Sequence, residues 1–423
     1  MPQQLARNSL FTLIANLSLA LSNWLLLVII TKYFSANLLG EVVLALSILS
    51  PLFLFSSTKL RTLLVVDLDN EFPVKQYFNA RFMANGLALL LVPLLWWCFL
   101  TDVSAVIVAM IALYKWCDAW CELSYSYLHR IQQFKLVAKT QTLRSLLSIV
   151  ALLVSAILFE DIVITLFCWL LVALVFAVLD IQRVRTRVIG ELQQDFNLRG
   201  LICDNGLYRQ SLVLIRRYFT VSIGLVMVSL FVYIPNYALK AYVSVEAAGQ
   251  FAAISYFLVA GSILISSLAQ VLSPQFSLLV KAQDVAGYFS LLAKACVIGL
   301  VIGGLGLLVT YFIGGWVLAI VYTSVFSEFH EVFVWVMAAA MVRYSYLFMG
   351  TAMNSLKLYH LQTQIYFVGT VTVLLMCLLW VPQQGLLGAA KAMFMATCVE
   401  FSLYWLRLFQ LYRKTKIAGQ FHG

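Results

Sequence analysis

The chain has 423 residues, of which 63% are hydrophobic and 11% are Asp, Glu, Lys or Arg, with a formal net charge of +10. A soluble globular protein carries about 25% charged residues, and a mean hydropathy of +0.95 leaves too little polar surface to wrap a body of this size in water. These figures exclude a cytosolic enzyme, a nucleic-acid-binding domain, a disordered chain and an outer-membrane barrel, whose alternating strands lack long apolar runs. They leave an all-α polytopic membrane protein.

A helix needs about 20 mostly apolar residues to cross the hydrocarbon core. In chain order, that window predicts spans near Leu10–Tyr33, Leu38–Ser57, Phe78–Leu100, Val103–Leu128, Leu136–Phe159 and Ile162–Ile181. After a break come spans near Leu212–Ile234, Ala247–Leu272, Tyr288–Ile313, Phe329–Gly350, Gln362–Val381 and Gly385–Gln410, about twelve in all. The first run, following Arg7, is long enough to stay in the membrane, so no cleavable signal peptide is expected. Trp316–Phe326 is too short to cross and reads as an interfacial or re-entrant piece on the outer side.

The charge follows the spans. With both termini in the cytoplasm, 23 of the 28 Lys and Arg residues fall on inner loops and ends, while outer segments keep 2, Lys32 and Lys240. That asymmetry is the positive-inside pattern, and it removes any need for a nucleic-acid partner. The longest polar stretch, Gln182–Ser211, divides the chain. The expected layout is an N-terminal six-helix bundle over 1–182, a cytoplasmic linker over 183–211, a C-terminal six-helix bundle over 212–410 and a cytoplasmic tail over 411–423. Two sets of six spans is the arrangement of transporters built from two repeats. The eight cysteines are scattered, most of them inside apolar runs, and no pair has metal-ligand or redox-motif spacing.

Leu39-Gly40-Glu41, Pro51-Leu52-Phe53 and Leu60-Arg61-Thr62, with Asp67 and Tyr77 further on, resemble the opening of bacterial polysaccharide flippases. Ile234-Pro235-Asn236-Tyr237, Gly249-Gln250-Phe251, Ser255-Tyr256 and Ser273-Pro274-Gln275-Phe276 continue the likeness, as do Val317–Tyr322 and the turn from Pro382 to Ala389. The family is the polysaccharide-transporter branch of the multidrug/oligosaccharidyl-lipid/polysaccharide exporter superfamily. Where its members often carry an arginine after the proline of the seventh span, this chain has Asn236. The resemblance implies the exporter-superfamily (MATE-like) fold. It also implies a polyprenyl-pyrophosphate-linked glycan as substrate, location in the bacterial cytoplasmic membrane, no cofactor, and a glycan polymerase and chain-length proteins as partners.

Ionisable residues at membrane depth are costly unless they face a bundle interior or a water-filled cavity. The fourth span holds Lys115, Asp118 and Glu122 at i, i+3 and i+7, all on one helical face that Tyr125 and His129 extend toward the cytoplasm. One reading is a self-neutralising ladder with Lys115 paired to Asp118. The other is a cavity wall, on which the lysine attracts an anion and Asp118 or Glu122 carries a coupling ion. In the second half, Arg343 has no acidic residue within one turn and needs a partner from another helix, a phosphate or water, while Lys391 and Glu400 share the last span. Lys115, Arg343, Lys391 and Arg61 are thus the candidate substrate-binding residues, and Asp118, Glu122 and Glu400 the candidate ion-coupling residues. Arg61, Arg81 and Arg144 sit at cytoplasmic span ends, where such residues anchor helices among headgroups or receive a pyrophosphate.

Three functions compete. A flippase needs a hydrated, cationic passage for pyrophosphate and sugar while the polyprenyl tail stays in lipid. A cation-coupled multidrug exporter of the same fold would favour a cavity of net negative charge. A membrane-embedded glycosyl polymerase or ligase needs a sizeable outer loop with catalytic groups, whereas the long loop here is cytoplasmic and basic, and no nucleophile–base constellation, metal cluster or glycine-rich phosphate loop occurs. A non-enzymatic flippase is the expectation.

Overall fold

The computed structural model describes residues 2–57, 60–66, 71–192 and 205–418, and no β strand occurs among them. Lys59, Asp67, Arg199, residues 193–204 of the expected linker and 419–423 of the expected tail lie outside the described residues. The helices are α1 (Pro2–Tyr33), α2 (Ala36–Ser56), the short α3 (Leu60–Val66), α4 (Val74–Phe99), α5 (Ala105–Arg130), α6 (Phe134–Phe159) and α7 (Ile162–Leu192). They continue as α8 (Asn205–Tyr242), α9 (Val245–Lys281), α10 (Val285–Val321), a 3-10 turn (Ser324–Phe329), α11 (His330–Ser355) and α12 (Tyr359–Ala418).

Polar residues between the apolar runs start these helices by capping their free N–H groups. Ser35 accepts from Leu38 N at the head of α2, and Ser244 accepts from Ala247 N at the head of α9. Asp161 accepts from Val163 N and Ile164 N at α7, and Asp284 accepts from Gly287 N at α10. Residues in the left-handed region stop them: Gln132 (φ 59°) after α5, Glu160 after α6, Gln283 after α9 and Lys357 (φ 59°) after α11. The stops after α5 and α11 share one hydrogen-bond pattern. Gln133 N and Leu358 N each reach back five residues, to Leu128 O and Met353 O, the closure of a Schellman motif.

Among the described residues, ten helical stretches are long and apolar enough to cross a membrane. α5 is not among them because Lys115, Asp118 and Glu122 load its middle. α12 counts once although it holds two spans. Its backbone leaves helical geometry at Gly385 (φ 55°, ψ −129°), a conformation closed to residues with a Cβ. The chain reverses there: Gly388 lies against the Trp380 carbonyl, Gly369 against Glu400, and the Tyr366 ring faces Tyr404. α12 is therefore a hairpin of two antiparallel arms, 359–384 and 386–418, and with α5 it brings the spans to twelve. Trp316–Phe326 is not re-entrant. Its first six residues are the last turns of the 37-residue α10, and the remainder enters the 3-10 turn leading to α11. Gly314 and Gly315, which break the apolar run in the sequence, allow His330 and Ser327 to pack closely on α10.

The chain falls into two compact units, Met1–Ser229 and Leu230–Gly423. In the first, α5 lies at the centre, touching α2, α3, α4, α6 and α7. In the second, α11 does so, against α9, α10 and α12. The approach of α10 to α11 is close because Gly299 and Gly303, one turn apart, meet the backbone of Tyr344 and Met341 directly, the small-residue packing of membrane helices. α5 and α11 are each the fourth span of their set, and each carries ionisable residues. Large apolar side chains such as Leu90, Trp97 and Phe312 stay exposed, as lipid-facing residues do.

Candidate functional site

The face of α5 that carries Asp118 and Glu122 is met by arginines from three other helices. Arg144 of α6 reaches Asp118 at 2.9 Å (Nη2 to Oδ1) and lies 5.8 Å from the Tyr114 ring centroid. Arg61, on the short α3, reaches Glu122 Oε1 at 3.3 Å. Arg81 of α4 approaches Glu122 Oε2 at 3.7 Å, outside hydrogen-bond range. Arg81 is wholly buried, and none of its guanidinium nitrogens has a hydrogen-bond partner among the described residues. Arg61 and Glu122 remain 47% and 37% exposed, so the group is accessible from outside the packed helices.

The ladder within α5 does not form. Among the described residues no ion pair joins Lys115 to Asp118, which faces Arg144 instead. A lysine three residues before a carboxylate is the weaker order on a helix, and a planar guanidinium from a neighbouring helix is a better partner for the carboxylate. Half-buried Lys115 therefore remains one turn from Asp118 and two turns from Glu122, and on this face of α5 Lys115 and three arginines meet these two carboxylates. Tyr125 turns away from this group toward Asp180 of α7, a fully buried carboxylate held by Arg183 at 2.7 Å.

In the second unit, Arg343 and Glu400 come together indirectly. Arg343 Nη1 donates to Tyr346 Oη at 3.2 Å, and Tyr346 Oη donates to Glu400 Oε2. The guanidinium lies 5.2 Å from the Phe231 ring centroid, and its Nε has no hydrogen-bond partner among the described residues. Glu400 is 2% exposed. Lys391 is elsewhere: its Nζ donates to Gln384 Oε1 at 2.8 Å and lies 5.8 Å from the Trp335 ring, beside the Gly385 reversal. Among the described residues no group of His, Cys, Asp or Glu has the arrangement of a metal site.

Sequence reasoning assigned no role to Tyr346 and Asp180, and read Arg81 and Arg144 only as headgroup anchors or pyrophosphate-entry residues at cytoplasmic span ends. For the two arginines a signal was present. Arg81 lies seven residues into α4 and Arg144 ten residues into α6, about 10 and about 15 Å along the axis, and both side chains are buried against neighbouring helices. Nothing in the sequence marked Tyr346 among the chain's 20 tyrosines.

No protein-family model matches the chain. The Staphylococcus aureus capsular polysaccharide biosynthesis protein CapF is 22% identical over 404 residues, covering 95% of this chain and 98% of that protein. Among solved structures, the lipid II flippase MurJ in an inward closed conformation aligns with a TM-score of 0.74, over 97% of this chain and 90% of that one, at 12% identity. The chain has the exporter-superfamily fold. The MATE transporter VcmN of Vibrio cholerae (TM-score 0.62, 97% of both chains, 15% identity) and the MATE multidrug transporter DinF-BH (0.64, 97% and 96%, 13%) share it. These neighbours are transporters and flippases, and the likeness to a capsular polysaccharide protein fits the polysaccharide branch of the exporter superfamily. With this fold and ten helices long and apolar enough to cross a membrane among the described residues, the protein is a multi-pass membrane protein.

Proposed function

We propose that the protein is a flippase moving a polyprenyl-pyrophosphate-linked oligosaccharide, a surface-polysaccharide repeat unit, across the bacterial cytoplasmic membrane by alternating access, with both termini in the cytoplasm. The observation that carries this reading is the guanidinium of Arg81, buried and, among the described residues, without a hydrogen-bond partner beside Arg61 and Glu122. A buried cation in that condition is costly, and a pyrophosphate supplies the oxygens that satisfy it. Arg81, Arg61 and Lys115 would hold the headgroup, each charge-assisted contact contributing roughly 1.5–3 kcal/mol. Arg343 and Lys391 are the further substrate contacts in the second unit. Asp118, Glu122 and Glu400 are the ion-coupling carboxylates, since binding a proton or sodium ion there alters the charge that each neighbouring arginine must compensate.

A drug exporter of the same fold, taking cationic substrates, would gain from an excess of carboxylates, whereas on the Asp118–Glu122 face of α5 Lys115 and three arginines meet two carboxylates. The test is a deletion strain in which the lipid-linked repeat unit is quantified on each side of the membrane. The wild-type gene restores outer-leaflet glycan and the Arg81→Ala gene does not. Full restoration by Arg81→Ala at equal protein level would refute the assignment of the headgroup to this cluster.

A further inference from the structure

Glu400 is inserted into the middle of the second unit, where the position opposite it, Gly369 on the first arm of α12, has no side chain. A Cβ at Gly369 would overlap the Glu400 carboxylate. The ionisable groups facing Glu400 are Arg343 and Tyr346 from α11, Tyr366 from the first arm, and Tyr404 one turn further along its own arm. The Tyr346 ring is stacked on Tyr404 (5.5 Å, 14°), which fixes where its hydroxyl points. Among the described residues no carboxylate forms an ion pair with Arg343. Its charge is balanced only through the Tyr346 hydroxyl, which accepts from the arginine and donates to the glutamate.

We infer that Arg343, Tyr346 and Glu400 form an anion site that loads together with a proton. This rests on the flippase reading for the identity of the physiological anion, a phosphate group of the substrate, and deepens it by linking two residues first considered separately. With Glu400 ionised, the trio is neutral and Arg343 is occupied. When Glu400 takes up a proton, no negative charge remains to balance the guanidinium, which already has a free Nε. The cluster then carries one uncompensated positive charge among aromatic rings, and an anion is the group that relieves it. Linkage makes the effect reciprocal: an anion on Arg343 favours the proton on Glu400 by the same factor by which the proton favours the anion. The headgroup thus enters with one of its charges cancelled by Arg343 and no buried carboxylate opposing it. Tyr346 is a positioning residue here, because it transmits the charge change without touching the anion.

The test uses the full chain in zwitterionic-lipid nanodiscs and sulfate as the probe, because sulfate does not titrate between about pH 5 and about pH 8 and any linked proton belongs to the protein. Calorimetric titration in two buffers of different ionisation enthalpy reads the protons taken up. Wild type should take up a proton on binding, with affinity falling about tenfold per pH unit above the Glu400 titration. Glu400→Gln should bind as tightly as wild type at its acid limit, with that uptake gone. Tyr346→Phe should weaken the pH dependence, and Arg343→Lys should retain the linkage that Arg343→Ala loses. Identical pH dependence in wild type and Glu400→Gln would overturn the inference, as would weaker sulfate binding by Glu400→Gln at every pH. Proton-linked binding in a chain that exports no lipid-linked glycan would refute the flippase reading and leave this inference standing. An unlinked site in a chain that does export glycan would do the reverse.

Discussion

Arg81 separates stability from function at a single residue. Removing a buried charge that lacks a full partner is neutral or stabilising when an apolar side chain of similar volume replaces it. Arg81→Met should therefore unfold at the same temperature as wild type or higher, while the headgroup loses a contact worth about tenfold to a hundredfold in binding. Thermal unfolding in detergent and glycan export by the same variant check both halves, and a variant that is destabilised but exports normally would show the arginine to be structural. Lys115 and Arg144 make the complementary pair. Lys115→Ala leaves Asp118 paired with Arg144 and should fold as wild type while exporting less glycan. Arg144→Ala strands Asp118, and since that carboxylate is a third exposed, the loss should be near 1 kcal/mol. The charges on α5 were legible in the sequence from their cost at membrane depth. Their partners were not, because Arg61, Arg81 and Arg144 reach α5 from three different helices and no local spacing encodes that meeting.

Among the elements, α12 depends on one backbone angle. Gly385 adopts φ 55° and ψ −129°, so Gly385→Ala should cost about 1–3 kcal/mol and loosen the two arms that hold Tyr366 and Glu400 against each other. A lowered unfolding temperature with retained helix content in circular dichroism is the expected outcome. Gly369→Ala is more specific: its methyl occupies the place of the Glu400 carboxylate. It should disturb the Tyr346 contact while leaving the reversal intact. The spans themselves were legible because twelve apolar runs of sufficient length are separated by capping and left-handed residues. The sequence reading ended a span near Ile313 and treated Trp316–Phe326 as a separate piece, whereas α10 runs unbroken through Gly314 and Gly315 to Val321. Glycine costs about 1 kcal/mol in an exposed helix, but here the missing side chains are what lets His330 and Ser327 pack on α10.

For the whole molecule, the distribution of basic residues predicts an orientation that labelling can test. Cysteines placed at Arg61 and Lys281 should react with a membrane-impermeant maleimide only after the cells are opened, and those at Ser104, Lys240 and Gln383 should react in intact cells. Labelling of Lys281→Cys from outside would contradict the topology of the second half. The polar stretch Gln182–Ser211 suggested a division into two sets of six spans, whereas the two compact units meet inside α8, between Ser229 and Leu230. A correspondence between the units appears in the fold, where α5 and α11 are the central helices of their units. The central claim, that the protein flips a pyrophosphate-linked glycan, is tested most directly by reconstitution into liposomes carrying a fluorescent polyprenyl-pyrophosphate oligosaccharide. Protection of the glycan from an impermeant glycosidase is then followed over time. The account predicts that wild type exposes inner-leaflet glycan to the enzyme quickly, that Arg81→Met does so slowly, and that protein-free vesicles keep it protected. Equal protection with and without the protein, in vesicles that nonetheless export a cationic dye, would contradict it.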